Sequence, residues 1–372
     1  MPHRFDVLDS FRGLAAILVV FVHMHYVGSF IEPDFFRESF LFVEFFFVLS
    51  GFVLAHGYAL KTNLNFKKFI ISRSFRLFPL HLFTLTIIVL LEFGKLYAYN
   101  KGFNFNAVPF TGSQNPHDIL PSALLLQAWL PGVETFSWNA PSWSISIEFY
   151  MYMLFFISLY INKPYFYIAW FTISILSFSI LFTNTNIPLG DLAIARGLSS
   201  FFAGSLIYFI FRKVHTKVTL KKELFTLLEL SVLVLVIITV SSSVPNKSIV
   251  ATFLFIIQVF IFAFQKGYIS KFLCNKVFLY LGKLSYSIYL THSIILFGSL
   301  SIYMIVEKVF KIKVSQTIDE VRFIDLGGPL YNNMAILAIL GIVVFISHFS
   351  YKHIELKGQA LGKRINLKGI TD

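Results

Sequence analysis

Ten apolar segments, each close to the length of a lipid bilayer, constrain this fold more than any other feature of the sequence. A transmembrane helix needs about 20 consecutive, mostly apolar residues. The segments therefore predict an all-α polytopic membrane protein with ten transmembrane helices, formed as one integral-membrane domain over residues 1–372. The predicted helices are residues 10–30, 39–60, 76–97, 143–162, 165–183, 192–212, 224–243, 248–265, 280–306 and 331–354.

The composition and the distribution of charge exclude a soluble protein. Only 13% of the residues are charged, whereas soluble domains carry about 25%. The net charge of +12 does not indicate binding to nucleic acid, because the basic residues lie between the apolar segments and not along one amphipathic surface. The single cysteine, Cys274, excludes an internal disulfide framework and a multi-cysteine metal site, and no metal is predicted.

The loops predict an orientation in the membrane. An even number of helices places both termini on one side, and 22 of the 31 Lys and Arg residues fall in segments on that side, including the tail 355–372. Because cytoplasmic loops are enriched in Lys and Arg, both termini are predicted to be cytoplasmic. The longest loop, 98–142, then lies outside. Its length indicates a function, and residues 117–130 within it are a candidate interfacial helix.

The first apolar segment contains an arginine and a histidine. Arg12 and His23 are eleven residues apart, so on a helix they share a face and lie about 16 Å apart along the axis. Ionisable groups at bilayer depth mark functional pathways, and histidine exchanges protons near neutral pH. These properties favour catalysis by His23, deep in the span. The structural alternatives are an interfacial Arg12 that snorkels and a histidine hydrogen-bonded inside the bundle. His25 points to another face and is predicted to be structural.

Two arginines stand in the basic loop before the third predicted helix. Arg73 and Arg76 are three residues apart and would project from one side of a helix. Two guanidiniums form a charged clamp that suits phosphate oxygens. Anchoring at the cytoplasmic membrane surface explains the neighbouring lysines and is the alternative interpretation for the arginines.

A motif rich in serine and tryptophan opens the fourth predicted helix. Ser144, Glu148 and Tyr152 recur at four-residue intervals, which places them on one helical face. An unpaired carboxylate inside a membrane is costly, so Glu148 is predicted to be functional. Three roles fit it: orienting a histidine, binding a sugar hydroxyl, or neutralising a buried arginine.

A polar stripe runs along the ninth predicted helix, where Ser285, Tyr289 and His292 follow an i, i+4, i+7 pattern. Such a stripe serves either a site or the contact between helices. In the second predicted helix, Glu44 adds another carboxylate, and Gly51 is predicted to permit close helix contact.

Five motifs in series resemble the acyltransferase 3 family of bacterial inner-membrane O-acyltransferases over nearly the whole chain. The motifs are Asp9 with the Arg12-to-His23 spacing, Glu44-Phe-Phe-Phe-Val-Leu-Ser-Gly-Phe, Arg73-x-x-Arg76, Ser142-Trp-Ser-Ile-Ser-Ile-Glu148 and Leu281-Gly-Lys-Leu-Ser-Tyr-Ser-Ile-Tyr-Leu-Thr-His292. The tail segment that begins at Tyr351 also fits, although Lys357 stands where the family often has proline. Because no soluble esterase-like domain is attached, the chain resembles the stand-alone subgroup.

The resemblance implies an enzyme of the bacterial inner membrane that transfers an acyl group, usually acetyl, from cytoplasmic coenzyme A. The acceptor would be a hydroxyl of a cell-surface or lipid-linked saccharide, such as lipopolysaccharide O-antigen or exopolysaccharide. Acetyl-CoA is then a substrate, and no permanently bound cofactor is expected.

The resemblance also implies roles for particular residues. His23 would act as general base or as acyl carrier, with Arg12 and Glu148 beside it in the catalytic set. Arg73, Arg76 and Arg12 would hold the phosphates of the donor. The residues assigned to saccharide binding are Ser144, Tyr286, Tyr289 and His292.

A transporter or flippase for a lipid-linked glycan is the main alternative, because the same internal charges would line a translocation path without acyl transfer. The dense intramembrane charge disfavours a receptor or an assembly subunit. A serine nucleophile is disfavoured because no Gly-x-Ser-x-Gly elbow is present. The sequence predicts no particular oligomeric state.

Overall fold

The computed structural model describes residues 4–103, 105, 107–161, 165–184, 187–188, 190–318 and 321–368. The chain divides into two compact units. The first unit comprises Met1–Gly57 and Ser200–Ser347, and the second comprises Tyr58–Ser199 and His348–Asp372. Lys163, counted in the predicted orientation, and residue 162, the predicted end of the fourth helix, lie outside the described residues.

Helices form most of the described chain. In chain order they are α1 (Asp6–Val22), α2 (Asp34–Arg37), α3 (Phe42–Tyr58), α4 (Phe66–Asn100), α5 (Ile119–Ala123), α6 (Ser142–Ile161), α7 (Phe166–Thr183), α8 (Ala193–Val214), α9 (Lys222–Ser241), α10 (Lys247–Ala263), α11 (Tyr268–Leu273), α12 (Lys276–Phe310), α13 (Pro329–Ser350) and α14 (Leu356–Lys368). Two short strands, β1 (Ser315–Ile318) and β2 (Val321–Ile324), pair antiparallel.

Within the described residues, eight helices are long and apolar enough to cross a membrane. This finding confirms the predicted all-α polytopic membrane fold. The eight are α3, α4, α6, α7, α8, α9, α12 and α13. The first and eighth predicted spans are also helical but shorter: α1 and α10 have 17 residues each, which is about 26 Å of helix.

The third predicted helix begins earlier than its apolar pattern indicated. Helix α4 begins at Phe66 and is capped by Asn65, whose side chain accepts a hydrogen bond from the Lys68 amide at 2.9 Å. A cap of this kind satisfies one of the amides that have no partner within the helix. Arg73 and Arg76 therefore both lie on the helix, as the phosphate-clamp hypothesis requires.

The C-terminal segment is helical where it is described. A π-helical turn, Tyr351–Glu355, joins α13 to α14, so the predicted tail continues as a helix to Lys368. Helix α14 packs closely on α4 through two glycines. A Cβ atom on Gly358 would lie 2.6 Å from Pro79 Cγ, and one on Gly362 would lie 2.6 Å from Phe75 Cβ.

Glycines also bring α1 against α12 in the first unit. A Cβ atom on Gly13 would lie 2.5 Å from the backbone nitrogen of Gly282, and one on Gly282 would lie 2.2 Å from the Asp9 carbonyl oxygen. Only glycine permits backbones to approach this closely. The two helices run side by side in the same direction, since His23 and His292, ten residues beyond each glycine, are again neighbours.

The contact predicted for Gly51 is confirmed. A Cβ atom at this position would lie 1.9 Å from the carbonyl oxygen of Phe201 on α8, and one on Gly204 would lie 2.0 Å from the carbonyl oxygen of Val48 on α3. Gly51 and Gly204 thus serve helix packing.

In the second unit, the segment between α4 and α6 is folded back by specific hydrogen bonds. The indole of Trp138 is buried and donates to the Asn115 carbonyl oxygen at 3.0 Å. The helix predicted over residues 117–130 is wrong in its extent, because α5 ends at Ala123 and turns follow. Leu125 adopts a left-handed φ of 57° and is fully buried, and this backbone conformation is incompatible with a continuing helix.

Candidate active site

His23 stands at the end of α1 and not deep within it, so the predicted first span is wrong at its C-terminal boundary. The helix ends at Val22, and His23 is its C-cap residue. The helix ends here because the following backbone pairs with β2: the Ile324 amide donates to the His25 carbonyl at 2.9 Å, and the Val27 amide donates to the Ile324 carbonyl at 3.0 Å. The histidine is thereby placed at a junction between a helix and a strand-like segment.

The rings of His23 and His292 stack, with their centroids 5.3 Å apart and their planes at 26°. His292 is fully buried, and its Nδ1 lies 3.1 Å from the Ile288 carbonyl oxygen. Since a carbonyl oxygen only accepts, Nδ1 carries the proton and Nε2 presents a lone pair. That Nε2 has no hydrogen-bond partner among the described residues. The buried ring therefore forms a fixed support for the plane of the His23 imidazole.

The His23 side chain is accessible because it lines a cavity of about 180 Å³. Within the described part of the chain no hydrogen bond is found to its imidazole, which leaves both ring nitrogens open to a ligand. The polar groups around the cavity include two tyrosines, Tyr26 and Tyr303, whose hydroxyl oxygens are 3.2 Å apart. Burial, followed by the Tyr303 hydrogen bond, raises the pKa of Tyr26, so this residue remains a neutral phenol that can donate.

His25 helps to hold this segment but also lines the His23 cavity, so the prediction that it points to another face is wrong, because α1 ends at Val22. Its Nδ1 accepts from the Arg37 guanidinium at 2.9 Å, and its ring lies 5.4 Å from the ring of Phe323 on β2. The Arg37 guanidinium also lies 5.0 Å from the Phe323 ring centroid. Burial, and then the Arg37 charge, lower the pKa of His25, so the imidazole is neutral. These contacts fasten the segment after His23 to the hairpin.

Arg322 and Glu307 are functional candidates that the sequence reasoning missed. Arg322, on β2, lines the His23 cavity, and one of its terminal nitrogens, Nη1, is buried with no hydrogen-bond partner among the described residues. Its other terminal nitrogen lies 3.6 Å from a Glu307 carboxylate oxygen. A local signal in the sequence could have indicated the hairpin that carries Arg322. Residues 315–318 and 321–324 are two short runs rich in residues that favour strands. Two residues separate these runs, which is typical of a hairpin.

Arg12 is not brought to His23. It lies about three helical turns earlier on α1, where its Nη1 contacts the Asp9 carboxylate at 3.1 Å. Asp9 also lies 3.5 Å from Arg4 Nη2. Arg12 is partly exposed and paired with Asp9. Its position fits a role near the N-terminal end of α1, which is the end away from His23.

In the second unit, Arg73 is surrounded by aromatic rings. The centre of its guanidinium lies 5.4–5.5 Å from the ring centroids of Tyr58, Phe69 and Tyr152. Its Nη2 also donates to the Tyr58 hydroxyl at 3.4 Å, while its Nε is buried and has no hydrogen-bond partner among the described residues. These aromatic rings attract the guanidinium of Arg73 but accept few hydrogen bonds from its N–H groups. N–H donors of Arg73 therefore remain for an anion.

Glu148 joins this arginine site. Its carboxylate accepts a hydrogen bond from the Tyr152 hydroxyl at 2.5 Å, and the centroid of the Tyr152 ring lies 5.4 Å from the centre of the Arg73 guanidinium. Of the three roles considered for Glu148, charge compensation of arginine is the one that these contacts favour. Ser144, one turn earlier, is buried and donates to the Pro141 carbonyl oxygen at 3.2 Å.

Of the remaining predicted residues, Tyr289 lies beside His292, and neither it nor Tyr286 or Glu44 is among the described residues that line the His23 cavity. Tyr289 is buried, with its ring 5.8 Å from Phe46 and 6.1 Å from His292. Tyr286 is half-buried on the same helix. Glu44 is fully buried and accepts a hydrogen bond from Ser248 at 2.8 Å.

Among the described residues, no cluster of His, Cys, Asp and Glu is arranged to hold a metal ion.

The fold and these two sites define a polytopic membrane protein with an accessible histidine in one unit and an arginine–carboxylate cluster in the other. The family model described as "Acyltransferase domain" matches residues 5–353. The chain therefore belongs to the acyltransferase 3 family, and the predicted resemblance is confirmed.

Two curated relatives match parts of the chain. "Protein 2 in picA locus" of Rhizobium radiobacter is 39% identical over 89 residues, which are 23% of this chain and 44% of the relative. "Acyltransferase MdmB" of Streptomyces mycarofaciens is 33% identical over 114 residues, 30% of this chain and 26% of the relative. The chain thus spans less than half the length of either relative in these matches. No solved structure matches.

Proposed function

We propose that this protein is a membrane O-acyltransferase of the bacterial inner membrane. It moves an acyl group, in the simplest case acetyl, from cytoplasmic acyl-CoA to a hydroxyl of a cell-surface or lipid-linked saccharide. The observation that carries the proposal is the accessible His23 imidazole, stacked on the buried His292 in a chain of the acyltransferase family.

The proposed chemistry is general-base catalysis by His23. A ring nitrogen removes the proton from the acceptor hydroxyl as its oxygen attacks the thioester carbonyl. The tetrahedral intermediate collapses with cleavage of the carbon–sulfur bond. The coenzyme A thiolate then takes the proton from the imidazolium, which restores the neutral histidine. Nearby donors such as Tyr26 and Arg322 support the charge that develops on the carbonyl oxygen.

The donor is proposed to bind through Arg73 and Arg76. The phosphates of coenzyme A suit planar, permanently charged guanidiniums, and the buried Nε of Arg73 has no hydrogen-bond partner in the described residues. Glu148 and Tyr152 hold this cluster by charge compensation and by a hydrogen bond.

Two measurements test the proposed function. Surface polysaccharide from cells with and without the gene is compared by mass spectrometry, and the expected difference is the mass of one acyl group per modified unit. Purified protein in lipid vesicles should transfer radiolabelled acetyl from acetyl-CoA to that polysaccharide. Movement of a lipid-linked glycan without release of free coenzyme A would instead establish the transporter.

Labelled acetyl-CoA supplied without an acceptor separates the two roles of His23. A general base leaves the protein unlabelled, whereas an acyl carrier accumulates label on the protein.

A further inference from the structure

An open groove of about 670 Å³ lies between the end of α12 and the β1–β2 hairpin, in the first unit. Its lining is polar and includes Ser315, Gln316 and Thr317 from β1. Hydroxyl and amide groups of this kind form hydrogen bonds with the hydroxyls of a sugar. The groove is open to solvent, as binding of an extended polar molecule requires.

One residue connects this groove to the candidate active site. Arg322 lines both the groove and the His23 cavity. Its Nη1 is buried without a hydrogen-bond partner among the described residues, so this side chain retains a donor. The groove and the cavity that His23 lines are therefore adjacent at Arg322.

The charges of the described lining residues favour an anion. Glu307 is engaged inside the protein: one carboxylate oxygen accepts from the Val314 amide at 3.0 Å and from the Ser315 hydroxyl at 2.7 Å, and the other lies 3.6 Å from Arg322. Among the described lining residues, the exposed Lys311 and Lys313 then give an excess of positive charge. Cationic clefts raise the local concentration of anionic ligands.

We propose that the groove formed by the end of α12 and the hairpin is the acceptor-binding site, and that it takes an anionic glycan. Lys311 and Lys313 bind the negative group of the glycan, and Arg322 directs the hydroxyl to be acylated toward His23. This inference rests on the proposed function. The negative group is a carboxylate of a sugar or a phosphate carried on the glycan, which have the same charge chemistry.

The test uses the full-length protein in nanodiscs of neutral phosphatidylcholine, with the polysaccharide identified from the cells as acceptor. Lys311→Asn and Lys313→Gln are combined. Asparagine is chosen because residue 311 has a left-handed φ of 53°, which Asn tolerates. Because ion pairs of exposed lysines are individually weak, loss of two of them should raise the KM for the acceptor about tenfold, with kcat and the KM for acetyl-CoA unchanged.

Lys308→Gln is the matched control. Lys308 is exposed at the same end of α12 but does not line the groove, so this variant should keep the acceptor KM of the wild type. Reduction of the acceptor carboxylates, or enzymatic removal of its phosphates, should raise the wild-type KM to the value of the double variant, and the modification that does so identifies the negative group.

A neutral natural acceptor would overturn the assignment, as would an unchanged acceptor KM in the double variant, while the proposed acyl transfer would stand. Absence of transfer by the wild-type protein would instead remove the proposed function itself.

Discussion

The imidazole rings of His23 and His292 stack 5.3 Å apart, although 269 positions separate these residues in the chain. The same separation relates Gly13 to Gly282, whose backbones touch ten residues earlier on the same two helices. The register of the glycine contact therefore sets the register of the histidine pair. Several properties of the protein depend on this arrangement and on the arginine cluster of the second unit.

Substitution of Gly13 by alanine should separate the two helices. The added Cβ would lie 2.5 Å from the Gly282 backbone nitrogen, and overpacking of this kind costs about 1–3 kcal/mol. Thermal unfolding in detergent and acyl transfer should both show the loss. Gly298→Ala, on α12 with nothing within 4 Å of the new Cβ, is the control and should be neutral or slightly stabilising. Equal melting temperatures and equal rates of acyl transfer in the two variants would contradict the close contact between Gly13 and Gly282.

Replacement of His23 by alanine should lower kcat by about 10²- to 10⁴-fold, the usual contribution of a general base. The protein should still insert and fold, because His23 is accessible and lines a cavity. His23→Gln, which keeps a hydrogen-bonding group but cannot take up a proton, should be similarly inactive. His353→Ala, at an exposed histidine of the other unit, should retain activity. Near wild-type transfer by His23→Ala would remove His23 from the mechanism.

Combined replacement of Arg73 and Arg76 by alanine should weaken the binding of acyl-CoA, since each charge-assisted hydrogen bond contributes about 1.5–3 kcal/mol. Binding by the wild type should fall with rising salt and should be weaker for acyl-pantetheine, which lacks the nucleotide phosphates. Lys67→Ala, at an exposed lysine of α4, is the control and should bind normally. If the wild type binds both donors equally well, the phosphate clamp is wrong.

The His25–Arg37 contact should make stability depend on pH. Because the pKa of His25 is lowered in the folded protein from its usual 6.5, the unfolded chain binds this proton more tightly. The contribution of His25 to the stability of the folded protein is therefore fully present above about pH 6.5. It is lost as the pH falls below that value toward the folded-state pKa. Between pH 7.5 and pH 5.5, the melting temperature of the wild type should fall more than that of His25→Gln. Glutamine can still accept from Arg37 but does not titrate, so identical slopes would disprove the effect.

The predicted orientation can be read from Cys274, the only cysteine of the chain, which is exposed between α11 and α12. In intact cells a membrane-impermeant maleimide should leave it unlabelled, and opening the membrane should permit labelling. Partial burial of the thiol, and then the charge of Asp6, raise the pKa of Cys274, so labelling needs mildly alkaline buffer. Val108→Cys, at a residue that is 51% exposed in the segment after α4, should react in intact cells. Reversed labelling of the two sites would overturn the topology.

The sequence by itself determined the membrane class, the helical order and the family. Hydropathy over about 20 residues is a local property, so the apolar segments predicted every long helix without knowledge of its neighbours. Motif spacing along the chain was likewise enough to identify the acyltransferase family. Helix ends were predicted less well, because caps such as Asn65 at α4 and the pairing of residues 25–27 with β2 override the apolar pattern.

Only the tertiary structure decided which polar residues meet. His292 is one member of a polar stripe in the sequence, and it becomes the partner of His23 because Gly13 and Gly282 set the helix register. Tyr152 links Glu148 to Arg73, since its hydroxyl donates to the carboxylate and its ring lies 5.4 Å from the guanidinium, and this link favours one of three roles that spacing left open. Arg322 acquires its place beside the His23 cavity only when the hairpin pairs with the segment after α1. These relationships arise from contacts between distant parts of the chain, and no local pattern of residues encodes such contacts.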